Sequence, residues 1–100
     1  REQILTDFPP KELRNIVDKS KKEIKEGIVI CFSTYDEKIG VAVGVTSSLI
    51  LKYDAVSLVK IASQILGGKG GGGRKDFAQA GGVYKSKIEE AFIELRKKIN

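Results

Sequence analysis

One hundred residues, 41% hydrophobic content and a net charge of +5 describe one ordinary domain with enough apolar material for one core, which argues against a disordered chain. The chain has no histidine and one cysteine, which excludes a His–Cys zinc site, a Ser–His–Asp triad, a Cys–His dyad and an internal disulfide. No apolar run approaches the roughly 18 residues of a membrane span, and no secretory signal pattern is present. A cytosolic compartment and no membrane partner are therefore expected.

The positive excess is not spread evenly. Residues 1–26 carry seven basic and six acidic groups, residues 27–66 three of each, and residues 67–100 eight basic and four acidic. The net +4 of the last segment favours a polyanionic partner for whatever forms there. Methionine is absent, including at position 1, so the chain reads as an excised piece of a larger protein.

In chain order, residues 1–9 read as the end of an upstream linker or helix, stopped by Pro9-Pro10. Pro10 suits a first helical turn, and Leu13, Ile16, Val17 and Ile24 follow at helical spacing. The pattern predicts a first helix over about 10–26, with Gly27 as its C′ residue. Ile28–Thr34 is a nearly continuous apolar run and predicts a strand buried on both faces. After the polar turn Tyr35–Lys38, residues 39–46 alternate large and small. Ile39, Val41, Val43 and Val45 share one face, while Gly40, Ala42 and Gly44 share the other and invite close packing. The two strands form an antiparallel hairpin.

Asp54 is a good N-cap for a helix whose stripe is Ala55, Leu58, Val59, Ala62, Ile65 and Leu66, ended by Gly67. Asp76–Ala80 predicts a third strand closed by Gly81-Gly82. Ile88, Ala91, Phe92, Leu95 and Ile99 give a last amphipathic helix. The expected fold is a small α/β (α+β) sandwich: a three-stranded sheet, made of a hairpin plus one strand after the glycine run, packed with about three helices.

The chemistry is concentrated in residues 67–82, which hold eight glycines, Lys69, Lys75 and Arg74. Six glycines in residues 67–73 contribute little to stability, because glycine loses more conformational freedom on folding than any other residue. A functional reason is required, and the cationic neighbours suggest a phosphate-bearing partner. Gly68, Gly70 and Gly73 satisfy a dinucleotide-fingerprint spacing, but here a helix enters the run and a strand leaves it, the reverse of the order that motif needs. Arg74-Lys75 stands where a P-loop requires Lys then Ser or Thr, so an NTPase is rejected. A flexible linker fits poorly with a run that contains Lys69, lacks serine and joins elements of one core. Lys69, Gly70, Gly71, Gly72, Gly73, Arg74 and Lys75 are therefore candidate phosphate contacts, with the glycine N–H groups turned inward as an anion nest. Gln79 is a candidate contact to a base or ribose. Tyr35, Tyr53 and Tyr84 are the stacking candidates; Phe32, Phe77 and Phe92 read as core, and Cys31 as a buried small hydrophobe. Lys85 and Lys87 would extend the basic surface at a helix start.

The run Leu66–Arg74 followed by Asp76–Gly82 resembles the signature of the C-terminal, glycine-rich (DHH-associated) domain of alanyl-tRNA synthetases. Glu12-Leu13-Arg14 with Val17-Asp18, the Gly27–Thr34 and Val41–Val45 strands, and Asp54-Ala55 with Leu58-Val59-Lys60 are also similar to that family. The resemblance covers roughly residues 11–98, so residues 10–100 are expected to form a single C-terminal DHH-associated domain. Lys75 and Phe77 stand where the family commonly has Pro and Met.

The resemblance implies a cytoplasmic parent enzyme, an ATP-dependent alanine–tRNA ligase. Its charging and editing centres, with their ATP, Mg and zinc, would lie upstream. This segment would then be a non-catalytic, cofactor-free tRNA-binding module. It would assist the upstream domains in cis in aminoacylating and editing tRNA(Ala), and could support a homodimer. By the same resemblance, Lys69, Gly70–Gly73, Arg74 and Gln79 fall on the family's motif. Two other readings stay open: the nucleic-acid- or substrate-binding domain of a DHH-family phosphoesterase, and a pure interaction module.

Overall fold

Strands that are apolar on both faces need a cover on each side, and the structure supplies two. The computed structural model describes residues 2–6, 12–24, 26–35, 38–68 and 71–99. Its elements are β1 (Glu2–Thr6), α1 (Leu13–Glu23), β2 (Ile28–Tyr35), β3 (Lys38–Val45), α2 (Ala55–Ile65), β4 (Gly71–Gly73), β5 (Phe77–Gly82) and α3 (Ile88–Ile99), with single 3-10 turns at Ser47–Leu49 and Lys85–Lys87. The sheet order is β1-β2-β3-β5-β4. β2, β3, β5 and β4 are antiparallel neighbours, and β1 adds to β2 in parallel. The class is α+β as expected; the sheet has five strands rather than three.

One face of the sheet presents Ile30, Phe32, Val41, Val43 and Ala78 to Leu58, Val59 and Ala62 of α2 and to Ala91, Phe92 and Leu95 of α3. The Phe32 and Phe92 rings pack with centroids 4.5 Å apart, tilted by 45°. The other face presents Val29, Cys31, Ala42 and Phe77 to Leu13 and Val17 of α1. The small-residue face of β3 is where α1 approaches: a Cβ on Gly44 would collide with the Val17 side chain and stand 2.8 Å from Lys21 Cδ.

Four local expectations change. Residues 2–6, read as the tail of an upstream element, form β1, whose register runs from Glu2 opposite Ile30 to Thr6 opposite Thr34. A five-residue strand carries too short a pattern to announce itself; its partner is β2, more than twenty positions away. The first helix runs from Leu13 to Glu23, and its C-cap is Ile24. Gly27 does not cap it. Its N–H donates to Thr46 Oγ1 at 3.0 Å and its carbonyl accepts from Thr46 N at 3.1 Å, which ties the start of β2 to the end of β3. Gly81 and Gly82 continue β5 instead of ending it, because α2 crosses there: a Cβ on Gly82 would collide with Leu66. The glycine run, expected as a loop, supplies the edge strand β4.

The second helix follows its sequence signals. Asp54 adopts extended backbone, and its carboxylate accepts from the Val56 N–H at 2.8 Å. Gly67, with φ +78°, ends the helix in a conformation that strains any other residue.

Candidate nucleic-acid interface

The glycine run and the strand after it form a tight β-hairpin. Arg74 N donates to Phe77 O at 2.7 Å, so Lys75 and Asp76 make a two-residue turn. Both turn carbonyls are anchored to the body of the domain. Lys75 O accepts from Ala55 N at 3.0 Å, satisfying one of the N–H groups that a helix start leaves unpaired, and Asp76 O accepts from Val45 N at 2.8 Å. Lys21 of α1 adds a side-chain bond to the same Asp76 carbonyl at 3.1 Å and stands 3.9 Å from its carboxylate. The hairpin is thus held from α1, β3 and α2 at once.

Among the described glycines of the run, Gly71–Gly73 are extended strand, with Gly72 opposite Gln79. In a strand successive N–H groups point to opposite sides. The inward-turned nest expected from the sequence is therefore not the geometry of these three residues.

Between α1 and the hairpin lies a cleft of about 270 Å³ lined by Arg14, Gly72, Gly73, Arg74, Asp76, Phe77 and Gln79. Four of its residues were legible as candidates: Gly72, Gly73, Arg74 and Gln79. Gly71 lies beside them on β4, opposite Ala80. Lys75 is exposed and does not line the cleft; its contribution is the carbonyl that meets α2. Lys69 and Gly70 lie outside the described residues. Lys85 and Lys87 sit in the 3-10 turn beyond the far end of β5, where Lys87 meets Glu90 at 3.6 Å.

Three cleft residues were missed as site residues. Phe77 is buried with the α1 cluster, and the Arg14 guanidinium carbon stands 5.1 Å from its ring centroid, a cation–π arrangement. Arg14 Nε also lies 3.7 Å from Asp18 Oδ2, one helical turn on, in a pair exposed enough to contribute little to stability. Asp76 closes the third wall. An adjacent cleft of about 310 Å³ shares Asp76 with it and is otherwise lined by Lys21, Val45, Thr46, Ser47 and Ile50. The only sequence signal for Arg14 was its place in the family-like Glu12-Leu13-Arg14 stretch; its approach to Phe77 spans more than sixty positions.

Of the stacking candidates, Tyr53 donates its hydroxyl to the Ile99 carbonyl. Tyr84 is half-exposed and packs its ring where a Gly67 side chain would be. The Tyr35 side chain is outside what the structure describes. Phe32, Phe77 and Phe92 are core, and Cys31 is fully buried, its thiol pushed up to about 11 by burial. Among the described residues no group of three His, Cys, Asp or Glu side chains could hold a metal ion, and no helix is long and apolar enough to cross a membrane.

A family model described as the DHHA1 domain matches residues 3–100. The chain belongs to the DHHA1 family. It is 49% identical over 88 residues to the alanine–tRNA ligase of Bradyrhizobium diazoefficiens, covering 87% of this chain and 10% of that protein. It is 46% identical over 95 residues to the ligase of Paramagnetospirillum magneticum, covering 95% and 11%. Among solved structures it is similar to the C-Ala domain of Aquifex aeolicus alanyl-tRNA synthetase, with a TM-score of 0.91 and 32% identity, covering 98% of this chain and 87% of that one. This DHHA1 domain spans about a tenth of the length of the curated relatives it matches.

Proposed function

We propose that this DHHA1 domain is the non-catalytic tRNA-binding module of an alanyl-tRNA synthetase, holding tRNA(Ala) for charging and editing domains carried elsewhere in the same protein. The observation that supports this best is the cleft itself. Arg14 and Arg74, on two different elements, converge with Gln79 and a side-chain-free glycine strand on a rigidly anchored hairpin. Such a cleft offers charge for the backbone and polar contacts for base edges, the mixture used to position and read RNA. Its lining holds one carboxylate, Asp76, which faces Lys21 at 3.9 Å, and no hydroxyl, thiol or imidazole, so on this reading the domain contributes binding and orientation rather than chemistry.

On this reading the ATP, Mg and zinc of the parent ligase, and its cytoplasmic location, belong to the whole enzyme. With no histidine and one fully buried cysteine, this segment does not fit a His/Cys zinc set. A homodimer of parent chains is compatible with the proposal but is not needed by it.

The test is binding of this chain to tRNA(Ala) transcript, an unrelated tRNA and a single-stranded RNA across a salt series, for wild type and Arg74→Ala. Binding to both tRNAs should exceed binding to the single strand. It should fall with salt by about 0.7–0.9 log units per log of salt for each neutralised phosphate, and Arg74→Ala should lower that slope by about one. No binding at low salt, or an Arg74→Ala variant identical to wild type, refutes the assignment. Preference for single-stranded RNA favours the phosphoesterase-type module instead.

A further inference from the structure

The glycine run does not need glycine at every position for the same reason. Gly67 and Gly73 have φ of +78° and +151°. A Cβ on Gly68 would collide with the Gly81 carbonyl, one on Gly71 with the Gln79 carbonyl, and one on Gly73 with the Phe77 carbonyl. These are backbone obstacles that cannot step aside, so the fold itself demands these four glycines. Gly72 is the exception. Its φ is not among the positive ones, and a Cβ there would meet nothing within 4 Å. The one described glycine of the run that the fold does not require lies on the cleft, opposite Gln79.

We propose that Gly72 and Arg14 frame a seat for an unstacked RNA base, with the missing side chain of Gly72 leaving room for the ring and the Arg14 guanidinium serving as its stacking plane. The inference rests on the RNA-binding reading and specifies which part of the RNA enters this cleft. Three features favour a base over a phosphate. The Arg14 guanidinium is planar, stands over the Phe77 ring at 5.1 Å and keeps 63% of its side chain exposed, so it is positioned by Phe77 while the side chain stays open to a ring; bases stack on such planes. The Phe77 ring is buried under Arg14 and cannot itself be the platform. Carboxylates also stand at the cleft: Asp18 lies 3.7 Å from Arg14, and Asp76, with Lys21 at 3.9 Å, forms part of the wall. A carboxylate in the wall repels a phosphate but accepts a hydrogen bond from an exocyclic amine, and Gln79 adds an amide for a base edge.

The experiment compares wild type, Gly72→Val, Arg14→Lys and Arg74→Ala in tRNA(Ala) binding across salt. Alongside, amide chemical shifts are followed as wild type is titrated with uncharged nucleosides or with inorganic phosphate. Gly72→Val should melt with wild type yet bind tRNA(Ala) about tenfold or more weakly. Arg14→Lys, which keeps the charge and loses the plane, should weaken binding comparably with the salt slope unchanged. Nucleosides, and not phosphate, should shift Gly72 and Gln79. Wild-type affinity in Arg14→Lys, or shifts at Gly72 and Gln79 produced by phosphate and not by nucleosides, overturns the base seat. If Gly72→Val fails to fold, those two measurements still decide. If Arg74→Ala loses affinity and slope while Gly72→Val and Arg14→Lys bind normally, the base seat fails and the RNA-binding reading stands. If no variant changes binding, the RNA-binding reading itself fails.

Discussion

Gly72 and Gly73 are adjacent, identical and both exposed, yet replacing each by alanine should have opposite consequences. At Gly73 the backbone sits at φ +151°, where a non-glycine residue costs on the order of 1–3 kcal/mol. The new Cβ would also collide with the Phe77 carbonyl and lie 2.6 Å from the Ala78 Cα, so β4 must draw back from β5. The Arg74–Phe77 bond of 2.7 Å closes the hairpin at this point, and its loss adds about 1 kcal/mol. Gly73→Ala should therefore destabilise by roughly 2–4 kcal/mol. At about 4–8 °C per kcal/mol for a domain of this size, the melting point falls by at least about 8 °C. The loss is bounded by the free energy of releasing β4 and its turn, since the rest of the sheet can survive that release. Gly72→Ala meets nothing within 4 Å and no positive φ, so it should lie within about 0.5 kcal/mol of wild type or gain slightly from a stiffer unfolded chain. Calorimetric melting of the two variants, with hydrogen exchange at the Arg74 amide, measures the difference. Equal melting points for Gly73→Ala and wild type, or a Gly72→Ala variant as unstable as Gly73→Ala, would refute the assignment of distinct roles to the two glycines.

Asp54→Ala removes the carboxylate that accepts from Val56 N at 2.8 Å and should cost about 0.5–2 kcal/mol in urea unfolding; Asp54→Asn should recover most of it. The Cys31 thiol should resist alkylation at pH 8 in the folded protein and react freely in denaturant, because burial raises it from 9.0 to about 11. A raised pKa in the folded state means that the unfolded chain ionises first. The contribution of Cys31 to stability is therefore intact below pH 9 and declines between pH 9 and about 11. Comparing stability against pH for wild type and Cys31→Ala isolates that decline, and parallel curves above pH 9 would contradict it.

Much of the fold was visible in local pattern. β2 showed as an apolar run, and β3 as an alternation of large and small residues, because both faces of each are buried under helices and the α1 face of β3 admits only small residues. α2 showed through the Asp54 cap and the Gly67 stop, and α3 through its stripe. The two edge strands did not show. β1 is short and gains its strand character from pairing with β2, and β4 consists of three glycines, the residue least suited to a strand by propensity. In the site, Gly72, Gly73, Arg74 and Gln79 were legible because their motif is contiguous. Arg14 was not, since it reaches the cleft only through the packing of α1 on the sheet, and Asp76 and Phe77, although within the motif, carry no local sign that they line a cleft.

The sequence alone determined the class of fold, the family, the lack of any histidine chemistry and the segment where the positive excess lies, because each depends on composition or on residues within a few positions of one another. Only the tertiary structure decided that Gly71–Gly73 of the glycine run form a strand, that four of its described glycines serve packing and backbone conformation while Gly72 does not, and that Arg14 belongs to the cleft. Those facts depend on which atoms stand within a few ångströms across the sheet, and such distances are set by the packing of α1 and α2 on its two faces and not by neighbours in the chain.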